Sequence, residues 1–282
     1  MLRILVPTDF SENAYAAMRT ALQLARSYQA EVVFLHTMER PPVPATSPQE
    51  VYADIYKAEH QKLEQKLQQQ CQGLYLELSL RPKEVLKTVQ VLPAPLIDAI
   101  LQLSCGSAVN LVVMGSSGVS GFQKFFLGSN TSDMIRLTIA PLLIIPPNYH
   151  FEAFKIISVI IRLKRFGERP GLRLLERIAQ TYSAQLYFIF VLDEDETEPK
   201  FLPPAETYSL DKDLPYKITS IRKATKAQDL QKHLQNSGTD LLVWLPMQHG
   251  FWGNSPSEQF AERAASKAGL PLLVIPHIKE AQ

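Results

Sequence analysis

Four glycines and four serines crowd one short stretch of the chain. It reads Gly115-Ser116-Ser117-Gly118, then nine residues from Val119 to Leu127, then Gly128-Ser129. The stretch begins where the apolar run Leu111-Val112-Val113-Met114 ends and stops where a helical pattern, Asn130 to Leu137, begins. A strand, a glycine-punctuated loop and a helix start together make a phosphate cradle in α/β proteins. Glycine lets the backbone adopt positive φ and approach a ligand closely. The first N–H groups of the helix lack internal partners and carry partial positive charge. Ser129 fits as the N-cap or as a hydroxyl donor to a phosphate oxygen. Lys124 is the one cation between the glycines, while Phe122, Phe125 and Phe126 fit loop anchors better than base-stacking groups. A second polar cluster, Pro7-Thr8-Asp9-Phe10-Ser11, follows the apolar run Leu2–Val6. There Asp9 can accept hydrogen bonds from sugar hydroxyls, or Asp9 or Ser11 can cap the helix that follows.

The elements that must position these groups follow from hydrophobic patterning. The first half reads as β (Leu2–Val6), α (Ser11–Tyr28), β (Glu31–Thr37), α (about Pro48–Gln72), β (Tyr75–Leu80, with Thr88–Leu92 as a further candidate), α (Pro95–Ser104), β (Leu111–Met114), α (Ser129–Leu137) and β (Leu142–Ile145). Apolar strands without alternation are buried on both faces, and strict strand–helix alternation predicts a parallel sheet with right-handed crossovers. The pattern then repeats. Leu142-Leu143-Ile144-Ile145-Pro146 returns as Leu272-Leu273-Val274-Ile275-Pro276, and Leu111–Met114 as Leu241–Trp244, both at an offset of 130. Earlier strands repeat at a larger offset: Arg3-Ile4-Leu5 on Lys155-Ile156-Ile157 at 152, and Ala30–Phe34 on Ala184–Phe188 at 154. The fall from 154 to 130 means that the second copy has lost about one helix. Asp193 to Pro215, acidic and proline-punctuated, reads as the loop that replaced it. Two doubly wound α/β domains result, residues 1–148 and 149–282, with Pro146 to His150 as the linker.

Composition narrows the classes. At 282 residues, with 46% hydrophobic and 20% charged residues, the chain is long enough for two globular domains. A net charge of +1 gives no reason to expect a nucleic acid or membrane partner. Cys71 and Cys105 have neither metal nor redox spacing and read as small buried hydrophobes in a cytoplasmic protein.

Ile4-Leu5-Val6-Pro7-Thr8-Asp9-Phe10-Ser11, taken with G-x2-G-x9-G-S at Gly115, Gly118, Gly128 and Ser129, resembles the universal stress protein family, and more narrowly its tandem members. The resemblance implies ATP-binding domains with strand order 3-2-1-4-5. It implies that Pro7, Thr8 and Asp9 border the ribose and adenine, with Thr37 beside the adenine. Gly115, Gly118, Gly128, Ser129 and Asn130 would hold the phosphates at the end of the strand closed by Met114. Whether magnesium accompanies the ATP is left open. The family pattern also implies that the fifth strands lie edge to edge, so that the second domain serves as a built-in dimer partner. A homodimer of the whole chain is compatible with the same pattern. One departure is Leu92, which stands where many members have glycine and narrows the crevice. His36, before Thr37, fits a packed strand-end histidine better than a ligand.

The second copy has lost the glycine chemistry. At offset 130, Gly115, Gly118, Gly128 and Ser129 fall on Leu245, Gln248, Glu258 and Gln259, and near the larger offset that fits the first strands Asp9 falls among Ile161, Arg162 and Leu163. A carboxylate at Glu258 would stand where phosphate charge belongs. His249 to Gly253, with Phe251 and Trp252, keeps glycines without the spacing. The leading reading is a nucleotide-binding stress or regulatory protein with one site, in the first domain, and no assigned catalytic or metal residues. The rivals are a slow ATPase or phosphotransferase, with Asp133 as metal ligand, and a module binding a small molecule or protein through the second domain and its 193–215 loop.

Overall fold

The computed structural model describes residues 1–38, 49–105, 109–116, 129–162, 171–192, 210–222, 227–246 and 259–276. In chain order the elements are β1 (Arg3–Pro7), α1 (Glu12–Tyr28), β2 (Glu31–Thr37), α2 (Gln49–Glu77), β3 (Leu86–Leu92), α3 (Leu96–Ser104), β4 (Leu111–Gly115), α4 (Ser129–Leu137) and β5 (Leu142–Ile145). They continue as β6 (Ile156–Arg162), α5 (Leu172–Tyr182), β7 (Gln185–Leu192), β8 (Tyr216–Arg222), α6 (Ala227–Asn236), β9 (Leu241–Trp244), α7 (Gln259–Ala268) and β10 (Leu272–Val274).

One ten-stranded sheet runs β3-β2-β1-β4-β5-β10-β9-β6-β7-β8. Each half therefore has the order 3-2-1-4-5. Every strand pair is parallel except β5 with β10, which meet antiparallel with Leu143 opposite Leu273. These two leucines are counterparts in the repeat, so the pair sits on the pseudo-two-fold that relates the halves. Both are essentially fully buried. The pairing also covers two sheet edges that would otherwise expose unpaired backbone groups.

Helices α1, α2 and α5 cover one face and α3, α4, α6 and α7 the other. Along β1 the side chains alternate between layers: Ile4 and Val6 join the first, Leu5 the second. Alanines at 14, 17, 21 and 25 form the sheet-facing stripe of α1 and let its axis approach closely. Across the seam Tyr28, Tyr182, Phe151 and Phe154 pack edge to face, with Phe151 and Phe154 4.9 Å apart. The connecting chain is pinned there. Arg19 donates to the Tyr149 carbonyl at 2.7 Å and Gln23 to that of Phe151 at 3.3 Å.

The repeat extends to its terminators. Gln29 and its counterpart Ser183 both take left-handed conformations at φ 51°, and each is followed by a buried alanine that directly precedes the next strand. Asn110 and its counterpart Asp240 both accept a first-strand N–H, from Arg3 at 2.8 Å and Ile156 at 2.9 Å. Arg3 pairs with Glu31 and Ile156 with Gln185, so the structural counterpart of Arg3 is Ile156. Residue type had matched Arg3 to Lys155, and that alignment is corrected by a single step along the strand. Asp9 then corresponds to Arg162.

Two further sequence expectations are corrected. Tyr75–Leu80 is not a strand. Leu67, Cys71, Leu74 and Tyr75 keep helical spacing against the core, so α2 continues to Glu77. It then stops at left-handed Ser79, where the N–H groups of Ser79 and Leu80 close onto the carbonyls of Leu76 and Tyr75. The third strand is Leu86–Leu92 alone. Cys71 is buried as expected, but Cys105 is exposed, because it follows the last buried position of α3 at Ser104. The 193–209 part of the expected loop lies outside the described residues, and 210–215 carries no helix or strand.

Candidate functional site

Strand order 3-2-1-4-5 reverses its winding between β1 and β4, where Ile4 pairs with Leu111 and Leu5 with Val112. Both strands run the same way, so Pro7-Thr8-Asp9 and Met114-Gly115 leave the sheet side by side. Ligands in open α/β sheets occupy such a switch point, beyond the carboxyl ends of the strands.

The exit from β1 is a tight polar turn. Thr8 is buried, its N–H donates to Leu35 at 2.8 Å, and its hydroxyl accepts from the Phe10 N–H at 3.1 Å. Exposed Asp9 accepts the Ser11 N–H through Oδ1 at 3.0 Å, while Ser11 caps α1 through the Ala14 N–H at 3.2 Å. Asp9 is thus a turn residue and Ser11 the cap. Phe10 takes φ 65°, which places its ring on His36 at 4.5 Å and under the Lys66 ammonium at 3.9 Å. His36 Nδ1 lies 2.8 Å from the Thr8 carbonyl and so donates to it. This histidine is a packed strand-end residue that fixes the turn.

At the end of β4 the glycine is explained by the helix beside it. A Cβ on Gly115 would lie 2.8 Å from the Asn13 carbonyl oxygen and 2.9 Å from its carbon. The close approach needing no side chain is therefore that of α1's first turn, rather than of a ligand alone. From the other side the buried Thr131 hydroxyl donates to the Gly115 carbonyl at 3.1 Å. The Ser116 N–H meets the Ile145 carbonyl at 2.9 Å. The start of α4 is thereby tied to the strand that precedes its loop. Ser129 and Asn130 are exposed at that helix start, where orphan N–H groups suit an anion. Sequence reasoning missed Thr131 and Asn13. A hydroxyl near the start of a helix was a usable signal for the first, and no sequence signal marks the second.

Gly118 and Gly128 lie outside the described residues, as do Lys124, Phe122, Phe125, Phe126 and, in the second half, Gln248 through Glu258. Thr37 is half-exposed at the end of β2, opposite Leu92. The Leu92 carbonyl accepts the Met38 N–H at 2.9 Å, and its side chain packs toward the α3 layer. Asp133 lies 3.9 Å from Arg136 on the exposed side of α4, and no cluster of three metal-ligating side chains exists among the described residues.

The second half differs at each of these points. Gly115 is replaced by Leu245, which is buried in the α1/α5 layer, and Ser116 by Pro246. Met114 becomes Trp244, and Thr131 becomes Ala261, which has no hydroxyl to return to the strand. Helix α5 begins at Leu172, well beyond the position that corresponds to the start of α1 at Glu12.

Fold and strand ends define a class: a tandem, doubly wound α/β protein with polar strand ends at the first switch point. The model of the universal stress protein family matches residues 1–146, and the chain belongs to that family. Universal stress protein MJ0531 of Methanocaldococcus jannaschii is 25% identical over 146 residues, covering 51% of this chain and 81% of that protein. Universal stress protein YxiE of Bacillus subtilis is 30% identical over 150 residues, covering 51% and 97%. The crystal structure of a universal stress protein from Archaeoglobus fulgidus matches both halves, with a TM-score of 0.66 at 16% identity over 97% of this chain and 98% of that one. Among the described residues no helix is long and apolar enough to cross a membrane.

Proposed function

We propose that this chain is an ATP-binding regulatory protein with one nucleotide site, in residues 1–148, and that residues 149–282 are a degenerate copy serving as its permanent pairing partner. The carrying observation is the switch point between β1 and β4, whose polar ends persist in the first half only. The described residues fit a nucleotide. An exposed carboxylate at Asp9 suits sugar hydroxyls, and the exposed start of α4, tied back to Gly115, suits phosphate oxygens. ATP when bound supplies the polyanion that the Gly118–Gly128 loop would gather around, and that ordering is the signal we assign to it. The reading is of a binding protein in the cytoplasm rather than an enzyme. The β5–β10 pairing supports the partner role of the second half, since it gives both halves one continuous core.

Isothermal titration of ATP against the intact chain and Gly128→Glu tests this. One site per chain, abolished in the variant, is expected. Two sites per chain, or unchanged binding in the variant, would overturn it.

A further inference from the structure

At the opposite end of the sheet, below the amino ends of β1, β2 and β3, lies a cavity of about 1000 Å³. Leu2 and Leu86 contribute apolar walls, and Leu86 is 54% exposed, unusual for a strand leucine. Arg26, Lys83 and Arg177 bring three positive charges to it. Arg177 reaches over from the second half, donating to the Tyr28 carbonyl at 3.0 Å. Arg26 and Lys83 are exposed and have no ion-pair or hydrogen-bond partner among the described residues. The single lining carboxylate, Glu84, accepts the Arg81 N–H at 2.7 Å.

Cations near a helix C-terminus have an ordinary explanation, since they complement the helix dipole. The second half meets that need differently, with the Lys155 ammonium donating to the Tyr182 carbonyl at the end of α5 at 3.2 Å. Helix α5 ends in the same left-handed geometry with no basic residue in its last turn. The counterpart of Arg26 there is Gln180, which donates to Asp211 at 2.8 Å, and that of Asn110 is Asp240. The counterpart of Arg177 in the first half is Gln23. Lys83 has a basic counterpart in Lys212, whereas Arg26 and Arg177 have none, so two of the three charges are particular to this cavity.

We propose that this cavity binds a small organic anion, a phosphate or carboxylate on an apolar body. The head would lie against Arg26, Lys83 and Arg177 and the body over Leu86 and Leu2. The site is separate from the strand ends of the proposed nucleotide site. The test is titration of the full chain with 1-naphthyl phosphate, following backbone amide shifts, with and without saturating ATP. Expected are saturable shifts at residues 26–31, 83–86 and 110 in both conditions. Affinity should fall at least about tenfold in Arg26→Gln/Lys83→Gln, and at least about tenfold for neutral 1-naphthol, as loss of two charge contacts implies. Both substitutions are at exposed positions, and an unchanged unfolding midpoint confirms that the variant is folded. Shifts confined to residues 7–11 and 114–116, absence of saturable shifts here, or unweakened binding in the double variant would overturn the proposal. Failure of ATP to bind would leave these shifts untouched, so the two readings fail separately.

Discussion

Gly115→Ala tests the account of why the loop starts with glycine. The added methyl would sit 2.8 Å from the Asn13 carbonyl oxygen and 2.9 Å from its carbon, both backbone atoms. Ordinary contact begins at 3.4 Å, so β4 or the first turn of α1 must move by about 0.6 Å. Neither moves easily. Gly115 is held on its other side by Thr131, and the first turn is held by the Ser11 cap and the Asp9 turn. Overpacking of this kind costs roughly 1–3 kcal/mol. Loss of the Ser11 cap would add about 1 kcal/mol. Urea denaturation of the full chain should therefore show a loss of about 2–4 kcal/mol, and the displaced Asp9 turn should weaken ATP binding in the same variant. A loss no larger than the roughly 0.5 kcal/mol of an ordinary surface substitution, with unchanged affinity, would refute the steric argument and return Gly115 to the role of a simple ligand cradle.

Thr131→Val should cost about 1 kcal/mol, with Thr131→Ser restoring most of it, since the hydroxyl bond to Gly115 is what is removed; both are read by urea midpoint. Leu143→Ala and Leu273→Ala should each cost about 2–5 kcal/mol, and a double-mutant cycle should show coupling of about 0.5 kcal/mol or more, because the two face each other on the pseudo-two-fold. Burial pushes the Cys71 thiol up from 9.0 to about 12. Below pH 9 folded and unfolded chains both keep that proton, whereas between 9 and 12 only the folded chain does, so stability should fall as pH rises through this window. Cys71→Ala should flatten the onset of that fall, and in the native wild type a disulfide reagent should modify exposed Cys105 fast and Cys71 only on unfolding.

Much of the architecture was legible because the chain states it twice. Apolar strand cores recur at fixed offsets, and strict alternation leaves few topologies, so the parallel, doubly wound architecture follows from pattern, and the 3-2-1-4-5 order from the family resemblance that the glycine spacing carries. The failures have local causes. Tyr75–Leu80 carries enough aromatic and aliphatic residues to resemble a strand, yet Leu67, Cys71 and Leu74 set a helical phase that runs through it. The slip in the first-strand correspondence arose because Arg3-Ile4-Leu5 and Lys155-Ile156-Ile157 match in residue type, while the hydrogen-bonded register aligns Arg3 with Ile156. At the site, Asp9 and Ser129 were visible as polar residues at strand and helix ends. The crowding of Gly115 by Asn13 was not, because it depends on how near α1 settles to β4, a distance set by the alanine stripe and by no local motif.

The central claim is that the first half alone holds the nucleotide. Photolabelling of the intact chain with 8-azido-ATP, followed by peptide mapping, measures this most directly. Label confined to peptides from residues 1–148, protected by unlabelled ATP, is the predicted result. Protected label in peptides from 241–275, or equal label in both halves, would contradict it.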